Sequence, residues 1–387
     1  MRDLPDNSVD SVVCDPPYHL TSIHKRFAKC GGASRQSPKK AHQYQRLSRG
    51  FMGQTWDGGD VAFRVETWTE VLRVLKPGGH LVAFSGTRTY HRMAVAIEDA
   101  GFEVRDQLAW VYGSGFPKSH DLGDGWGTAL KPSWEPIALC RKPLEGTNAA
   151  NMAKHGVGGL NIDACRIEGE GNKTFDRDVG DRSREQYRTG TTVGAAKPTD
   201  LGRWPANLCH DGSDEVLGVF PDALGQLIDA STNSAQRKTQ NVYGAMKRGN
   251  GREGEASADR RYADRGSTDF APLPGQRRED SGSAARFFYC AKATTEERGE
   301  GNNHPTVKPV ALMRWLCRLV TPKGGTVLDP FMGSGSTALA CDAEQFNFIG
   351  CELSADYAAI AERRIRDAAG MFADISIEHT GPRTRAA

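Results

Sequence analysis

The spacing of apolar positions divides the chain into two ordered stretches separated by a long polar one. In the first, "SVDSVVCD" (8–15) is an apolar run of strand length. In "RVETWTEVLRVLKPGG" (64–79), Trp68, Val71, Leu72 and Leu75 recur at helical spacing, which predicts a helix stopped by Pro77, Gly78 and Gly79. "HLVAFSG" (80–86) reads as a buried strand and "YHRMAVAIEDAG" (90–101) as a short helix ending at Gly101. "FEVRDQLAWVYG" (102–113) reads as another strand. Strands alternating with helices in this order predict a parallel sheet.

From about Gly146 to Gly282 the texture changes to glycine, serine, asparagine and charge, as in "GEGNKTFDRDVGDRSREQYRTGTT" (169–192). Little of it can form a core alone. The islands "GGLNIDACRI" (158–167) and "RWPANLCHDGSDEVLGVF" (203–220) are apolar enough to pack, so an inserted region with long flexible loops is expected. Order returns at "RFFYCAKA" (286–293). In the helix that follows, Leu312, Trp315, Leu316 and Leu319 share one face and Pro309 stands near the start. A strand "GTVLD" (325–329), a glycine loop "PFMGSGST" (330–337), a helix (338–344) and a strand "NFIGCE" (347–352) come next. A last helix opens at Ser354, with Asp356 near its start and Arg363, Arg364 and Arg366 near its end, as the helix dipole favours. The expected architecture is therefore α/β, with both ends of the chain sharing one sheet. The expected divisions are 1–145, the insertion 146–284, 285–370 and a tail 371–387.

Composition narrows the field only slightly. Lysine plus arginine (50) nearly balance aspartate plus glutamate (48) among 387 residues, so the net charge of +2 selects no partner. Nine cysteines stand singly with no C-x-x-C pair, which argues against a metal cluster or disulfide framework and for a reducing, cytoplasmic setting. The start "MRDLPDNS" lacks a signal pattern, and no run approaches the roughly 18 apolar residues of a membrane span.

Two stretches carry candidate chemistry. In "VLDPFMGSGSTALA" (327–340) a strand ends at Asp329, and Gly333 and Gly335 let backbone approach a ligand where a helix begins. Glu352 ends the next strand, where a carboxylate accepts hydrogen bonds from both hydroxyls of a ribose. Gly333, Gly335 and Ala338 also fit the relaxed dinucleotide fingerprint G-x-G-x-x-A, so a dehydrogenase and a ligand-free tight turn stay open as readings of this loop.

The second stretch is Asp15-Pro16-Pro17-Tyr18, directly after the first strand. Two prolines lack N–H groups, so nearby carbonyls stay free of a continuing helix or ladder. A carboxylate and such a carbonyl together grip an NH₂ group by its two hydrogens, and an aromatic ring stacks on the flat molecule carrying it. That arrangement suits methyl transfer to the exocyclic amine of a base, whose lone pair must be localised before it attacks an in-line methyl group. The plain alternative is a turn after a core strand. In open parallel sheets ligand sites form outside the carboxyl ends of strands, so Asp15 and Gly333 can meet despite their separation in sequence.

With "DPPY" (15–18) first, then a variable region, then "HPTVKP" (304–309) and "DPFMGSGST" (329–337), the chain resembles the amino-methylating DNA methyltransferases of the β class. The match covers roughly residues 5–145 and 285–366. The resemblance implies a permuted Rossmann-like sheet with an inserted target-recognition region, and S-adenosylmethionine as cofactor. It implies that Asp15, Pro16, Pro17 and Tyr18 hold the flipped base, and that Asp329, Phe331, Gly333, Gly335 and Glu352 line the cofactor. Thr306 and Lys308 would lie near its methionine end. One departure stands out. The family's strand with a Gly-Asp pair, ahead of the leucine-rich helix leading to "DPPY", has no counterpart here, because the chain begins where that helix would be. Either the start is truncated or a segment such as "ADISIEH" (373–379) fills the sheet edge, and reduced cofactor affinity is one expected consequence.

Between Thr21 and Gly50 stand Lys25, Arg26, Lys29, Arg35, Lys39, Lys40, Arg46 and Arg49, with no acid among them. This is a phosphate-binding candidate beside the base pocket, against the plain reading of a solvated loop. In the insertion, Arg237, Lys238, Lys247, Arg248, Arg260, Arg261, Arg277 and Arg278 are weaker candidates because acids are interspersed. The expected partner is duplex DNA, with no membrane and no metal. A homodimer and a cognate restriction endonuclease, as in restriction-modification, are compatible partners. The expected activity is site-specific methylation of adenine N6 by base flipping, the aspartate before "PPY" favouring adenine. Methylation of cytosine N4, or a catalytically weak DNA-binding protein, are the alternatives.

Overall fold

The computed structural model describes residues 1–18, 60–115, 119–167, 174–176, 197–199, 202–224, 240–241, 244–245, 281–291 and 307–369. These fall into two compact units. The first comprises Met1–Cys165, Pro205–Val219 and Phe288–Ala387, and the second Arg166–Trp204 and Phe220–Phe287. The first unit thus takes in part of the stretch read as an insertion, including the island around Leu208.

Among the described residues, the first unit is built on an eight-stranded sheet. Its strands are β1 (Val9–Cys14), β2 (Leu75–Phe84), β3 (Glu103–Val111) and β4 (Trp134–Arg141), then β5 (Leu208–His210), β6 (Tyr289–Cys290), β7 (Thr326–Asp329) and β8 (Asn347–Gly350). They lie in the order β6-β5-β3-β4-β2-β1-β7-β8. β1 pairs in parallel with both β2 and β7, and β7 with β8. β4 runs antiparallel between β2 and β3. The two ends of the chain therefore share one α/β sheet, and the order of its central strands is permuted relative to sequence. The edge segment 373–379 lies outside the described residues.

Alternation along β1 explains why its whole length is buried, Asp10 and Ser11 included. Val12 and Cys14 pack on one face with Trp68, Val71, Met93 and Ile97, from helices α1 (Val65–Val74) and α2 (Tyr90–Asp99). Val13 packs on the other face with Leu312, Trp315 and Leu316 of α4 (Val310–Val320), while α3 (Asn148–His155) lies against β2. A sheet covered on both faces needs unbroken hydrophobic strands at its centre. Two side chains fix the register of the chain ends. Asp10 accepts the Thr326 N–H at 2.8 Å and pairs with Lys76 at 2.6 Å, and the Ser11 and Thr321 hydroxyls meet at 2.8 Å.

Two details differ from the expectation. The first helix ends at Val74, and Leu75 is already extended (ψ 137°), one residue ahead of Lys76, whose place directly before Pro77 disfavours the helical region. The Lys76–Gly79 segment then bulges, so that Val9 pairs with Leu75 but Ser11 with His80. Residues 1–8 form turns rather than a helix, held by the Arg73 guanidinium on Met1 O, Leu4 O and Asp6.

The second unit holds short antiparallel pairs, Thr174–Asp176 with Lys197–Thr199, Asp222–Leu224 with Ser281–Ser283, and Gln240–Asn241 with Gly244–Ala245. Arg286 braces it by donating to Ala223 O and Ser283 O.

Candidate active site

Three acids stand at the carboxyl ends of three adjacent strands. Asp15 follows β1, Asp329 ends β7 and Glu352 follows β8, so strand order alone brings residues from opposite ends of the chain to one edge of the sheet. Their proximity shapes the local electrostatics. The Cys14 thiol is raised well above its ordinary value by burial first and then by the Asp329 and Asp15 carboxylates. Asp329 is pushed up to about 7 by burial, opposed by its hydrogen bonds and reinforced by Asp15 and Glu352.

The glycine loop leaves β7 and enters α5 (Ser336–Ala343). Gly333 and Gly335 have φ of 54° and 84°, where side chains are disfavoured. A Cβ on Gly335 would stand 2.9 Å from the Ala361 Cβ, on α6 (Ala355–Ala369), so the glycine also allows close helix packing. Asp329 organises the loop from beneath, accepting the Phe331 N–H at 2.9 Å and the Thr337 hydroxyl at 2.5 Å. Glu352 accepts the Gly333 N–H and the Ser354 N–H, one on each oxygen, both at 2.8 Å. Arg364 is buried and donates to the Ser334 carbonyl and hydroxyl. It therefore braces the loop rather than simply complementing a helix end. Phe331 packs tilted against Trp68, ring centroids 6.3 Å apart.

On the Asp15 side the centre is Lys308, 8 % exposed. Its ammonium donates to Asp15 Oδ2 at 2.7 Å and to the Tyr18 hydroxyl at 3.1 Å, and pairs with Glu135 Oε2 at 3.1 Å. The Tyr18 hydroxyl donates to the same Glu135 oxygen at 3.1 Å. Burial works against the ammonium, but the Asp15 and Glu135 carboxylates outweigh it and hold the pKa above the ordinary lysine value. Burial, then Asp15 and Glu135, raise the Tyr18 phenol. Asp15 Oδ1 is buried and has no hydrogen-bond partner among the described residues. An orphaned carboxylate oxygen costs free energy, so the position is poised for a donor.

The structure thus gathers Asp15, Pro16, Pro17, Tyr18, Lys308, Asp329, Phe331, Gly333, Gly335 and Glu352 at one edge of the sheet. Thr306 and the basic residues Lys25, Arg26, Lys29, Arg35, Lys39, Lys40, Arg46 and Arg49 lie outside the described residues, as do the basic residues of the insertion from Arg237 to Arg278. Sequence reasoning missed Glu135, at the start of β4. Its only signal is an acid before proline at the head of an apolar strand, "SWEPIALC". Thr337 and Arg364 were also missed as supports of the loop.

The DNA methylase family matches residues 9–363 of the chain. Type II methyltransferase M.HindIII of Haemophilus influenzae is 28 % identical over 191 residues, which cover 42 % of this chain and 61 % of that protein. DNA adenine methyltransferase YhdJ of Escherichia coli is 39 % identical over 66 residues, 17 % of this chain and 22 % of that protein. The chain therefore spans less than two thirds of the length of the curated relatives it matches. Among solved structures, the M1.HpyAVI complex with SAM aligns over 94 % of this chain and 90 % of its own, at 16 % identity and a TM-score of 0.38.

Proposed function

The chain belongs to the DNA methylase family, and we propose that on this footing it transfers a methyl group from S-adenosylmethionine to the N6 amine of adenine in duplex DNA. The observation that carries the reading is Asp15, with one oxygen held by Lys308 and the other buried without a partner among the described residues, directly after the strand next to the Gly333 loop. An exocyclic amine supplies the missing donor. Asp15 Oδ1 takes one N–H and a main-chain carbonyl of the proline pair takes the second, which favours a tetrahedral nitrogen with a localised lone pair.

The residues at the glycine loop fit the cofactor. Each Glu352 oxygen accepts one backbone N–H and retains a lone pair for a ribose hydroxyl. Among the described residues four acids, Asp15, Glu135, Asp329 and Glu352, stand here against two cations, Lys308 and Arg364, which suits a ligand that itself carries positive charge. Bound there, S-adenosylmethionine supplies an activated methyl group on sulfur. Phe331, Gly333 and Gly335 would line it, with Thr306 and Lys308 toward the methionine end, and Asp329 would hold the loop in shape.

A base inside a duplex cannot reach this edge, so the target must be flipped, with Tyr18 as its stacking partner. The run from Lys25 to Arg49, free of acids, would take the flanking phosphates, and the region 146–284 would read the target sequence. The enzyme would act in the cytoplasm, as a homodimer or beside a restriction endonuclease. No helix among the described residues is long and apolar enough to cross a membrane.

Incubation with tritiated S-adenosylmethionine and unmethylated duplex DNA, followed by nucleoside analysis, tests the proposal. Label in N6-methyladenine is expected. Label in N4-methylcytosine would transfer the assignment to cytosine, and no label in DNA would reject the enzyme reading in favour of a DNA-binding protein.

A further inference from the structure

The ammonium of Lys308 has three hydrogens, and the structure provides three acceptors: Asp15 Oδ2, the Tyr18 oxygen and Glu135 Oε2. Among the described residues the buried ammonium is thus held by two hydrogen bonds and one ion pair while taking only one of the two Asp15 oxygens. Glu135 reaches this point from β4, which is separated from β1 by β2, so it belongs to neither sequence motif. We infer that Glu135 is a positioning residue that reserves Asp15 Oδ1 for the target amine, an inference that rests on the methyltransferase reading above.

The argument is one of competition for acceptors. A buried ammonium hydrogen left without a partner costs free energy, so it turns to whatever acceptor is in reach. With Glu135 removed, the acceptor left open beside Lys308 among the described residues is Asp15 Oδ1. Lys308 would then bridge both Asp15 oxygens and close the position where the base amine docks. Glu135 has a second task through the same oxygen. It accepts the Tyr18 hydroxyl and so anchors the far end of the ring that would stack on the base. The Phe84 ring, its centroid 4.9 Å from the ammonium, restricts where Lys308 can move. Glu135 touches neither base nor cofactor in this scheme and acts through Lys308 and Tyr18.

The test compares Glu135→Ala with Glu135→Gln in the full chain, by single-turnover methyl transfer to duplex DNA and by calorimetric titration with S-adenosylmethionine. The amide oxygen of glutamine still accepts from Lys308 and Tyr18, whereas alanine offers nothing. Glu135→Ala should lower the transfer rate about a hundred-fold with cofactor affinity changed less than about two-fold, and Glu135→Gln should recover to within about five-fold of the unaltered chain. If circular dichroism shows that the alanine variant does not fold, Glu135→Leu, closer in volume, takes its place. A rate within about two-fold of the unaltered chain for the alanine or leucine variant would overturn the inference. So would a glutamine variant as slow as alanine, or an equal loss of cofactor affinity. An unaltered chain that transfers no label overturns the methyltransferase reading itself and this inference with it, an outcome distinct from failure in the variants alone.

Discussion

Replacing Asp329 by asparagine should make the protein more stable in alkali and scarcely change it in acid. Asp329 is 2 % exposed, and burial lifts its pKa from the ordinary 3.8 to about 7. That rise corresponds to a penalty of about 4 kcal/mol on the ionised form. A carboxyl with a folded pKa above its unfolded one binds its proton more tightly when folded. Its contribution is therefore fully present below about pH 4 and is lost as pH rises through about 7. Asparagine keeps both contacts, since its carbonyl accepts the Phe331 N–H and its amide donates to the Thr337 hydroxyl, but it carries no charge. Urea unfolding followed by tryptophan fluorescence, at pH 4.5 and 8.5 for both proteins, measures the effect. The advantage of Asp329→Asn should grow by about 3 kcal/mol between the two conditions, since part of the shift is already expressed at pH 4.5. A difference that does not change with pH would show that the Asp329 carboxyl titrates as an ordinary solvated acid and would refute the reasoning.

The other expectations concern separate parts of the molecule. His80 is buried and pushed down to about 4, by burial first and then by Arg141 and Arg105, so it stays neutral when folded. Its share of stability is present above pH 6.5 and lost as pH falls toward 4, about 3 kcal/mol in all, and His80→Gln should flatten that part of the urea profile. Gly335→Ala should destabilise by about 2–4 kcal/mol through positive φ and the Ala361 contact, and thermal unfolding as stable as the unaltered chain would contradict the packing described. Tyr18→Ala should weaken duplex binding about ten- to hundred-fold by anisotropy, as expected for one lost base stack, with S-adenosylmethionine affinity nearly unchanged. Equal loss of both would show that Tyr18 supports the whole edge rather than the base.

Local pattern was enough to find the elements that carry the acids. An apolar run ending in Asp15, another ending in Asp329 and a third followed by Glu352 are written in contiguous residues, and so is the apolar face of α4. The glycines that need positive φ announce themselves in the same way. What escaped depends on neighbours distant in sequence. β5 is only three residues long and is ordered by lying beside β3, so no periodicity marks Leu208–His210. Glu135 becomes meaningful only when β4 turns back antiparallel against β2 and brings it to Lys308. Arg364 reads as a charge for a helix end, and only the packing of α6 on α5 reveals that it reaches Ser334. The first helix stopped earlier than its apolar spacing suggested because the proline restriction on backbone overrode the pattern.

The placement of β1 at the sheet centre also governs how the protein is made. Asp10 and its partner Thr326 are 316 positions apart, so β1 leaves the ribosome with one flank unmatched until Thr326 has been translated. At about 5–20 residues per second that interval lasts roughly 15–60 s. A nascent apolar strand with an open edge for so long is an invitation to aggregation, and premature termination anywhere before residue 326 would yield a product with no β7 to close it. Synthesis in vitro with and without holdase chaperones should therefore change the soluble yield of this chain far more than its final activity per folded molecule.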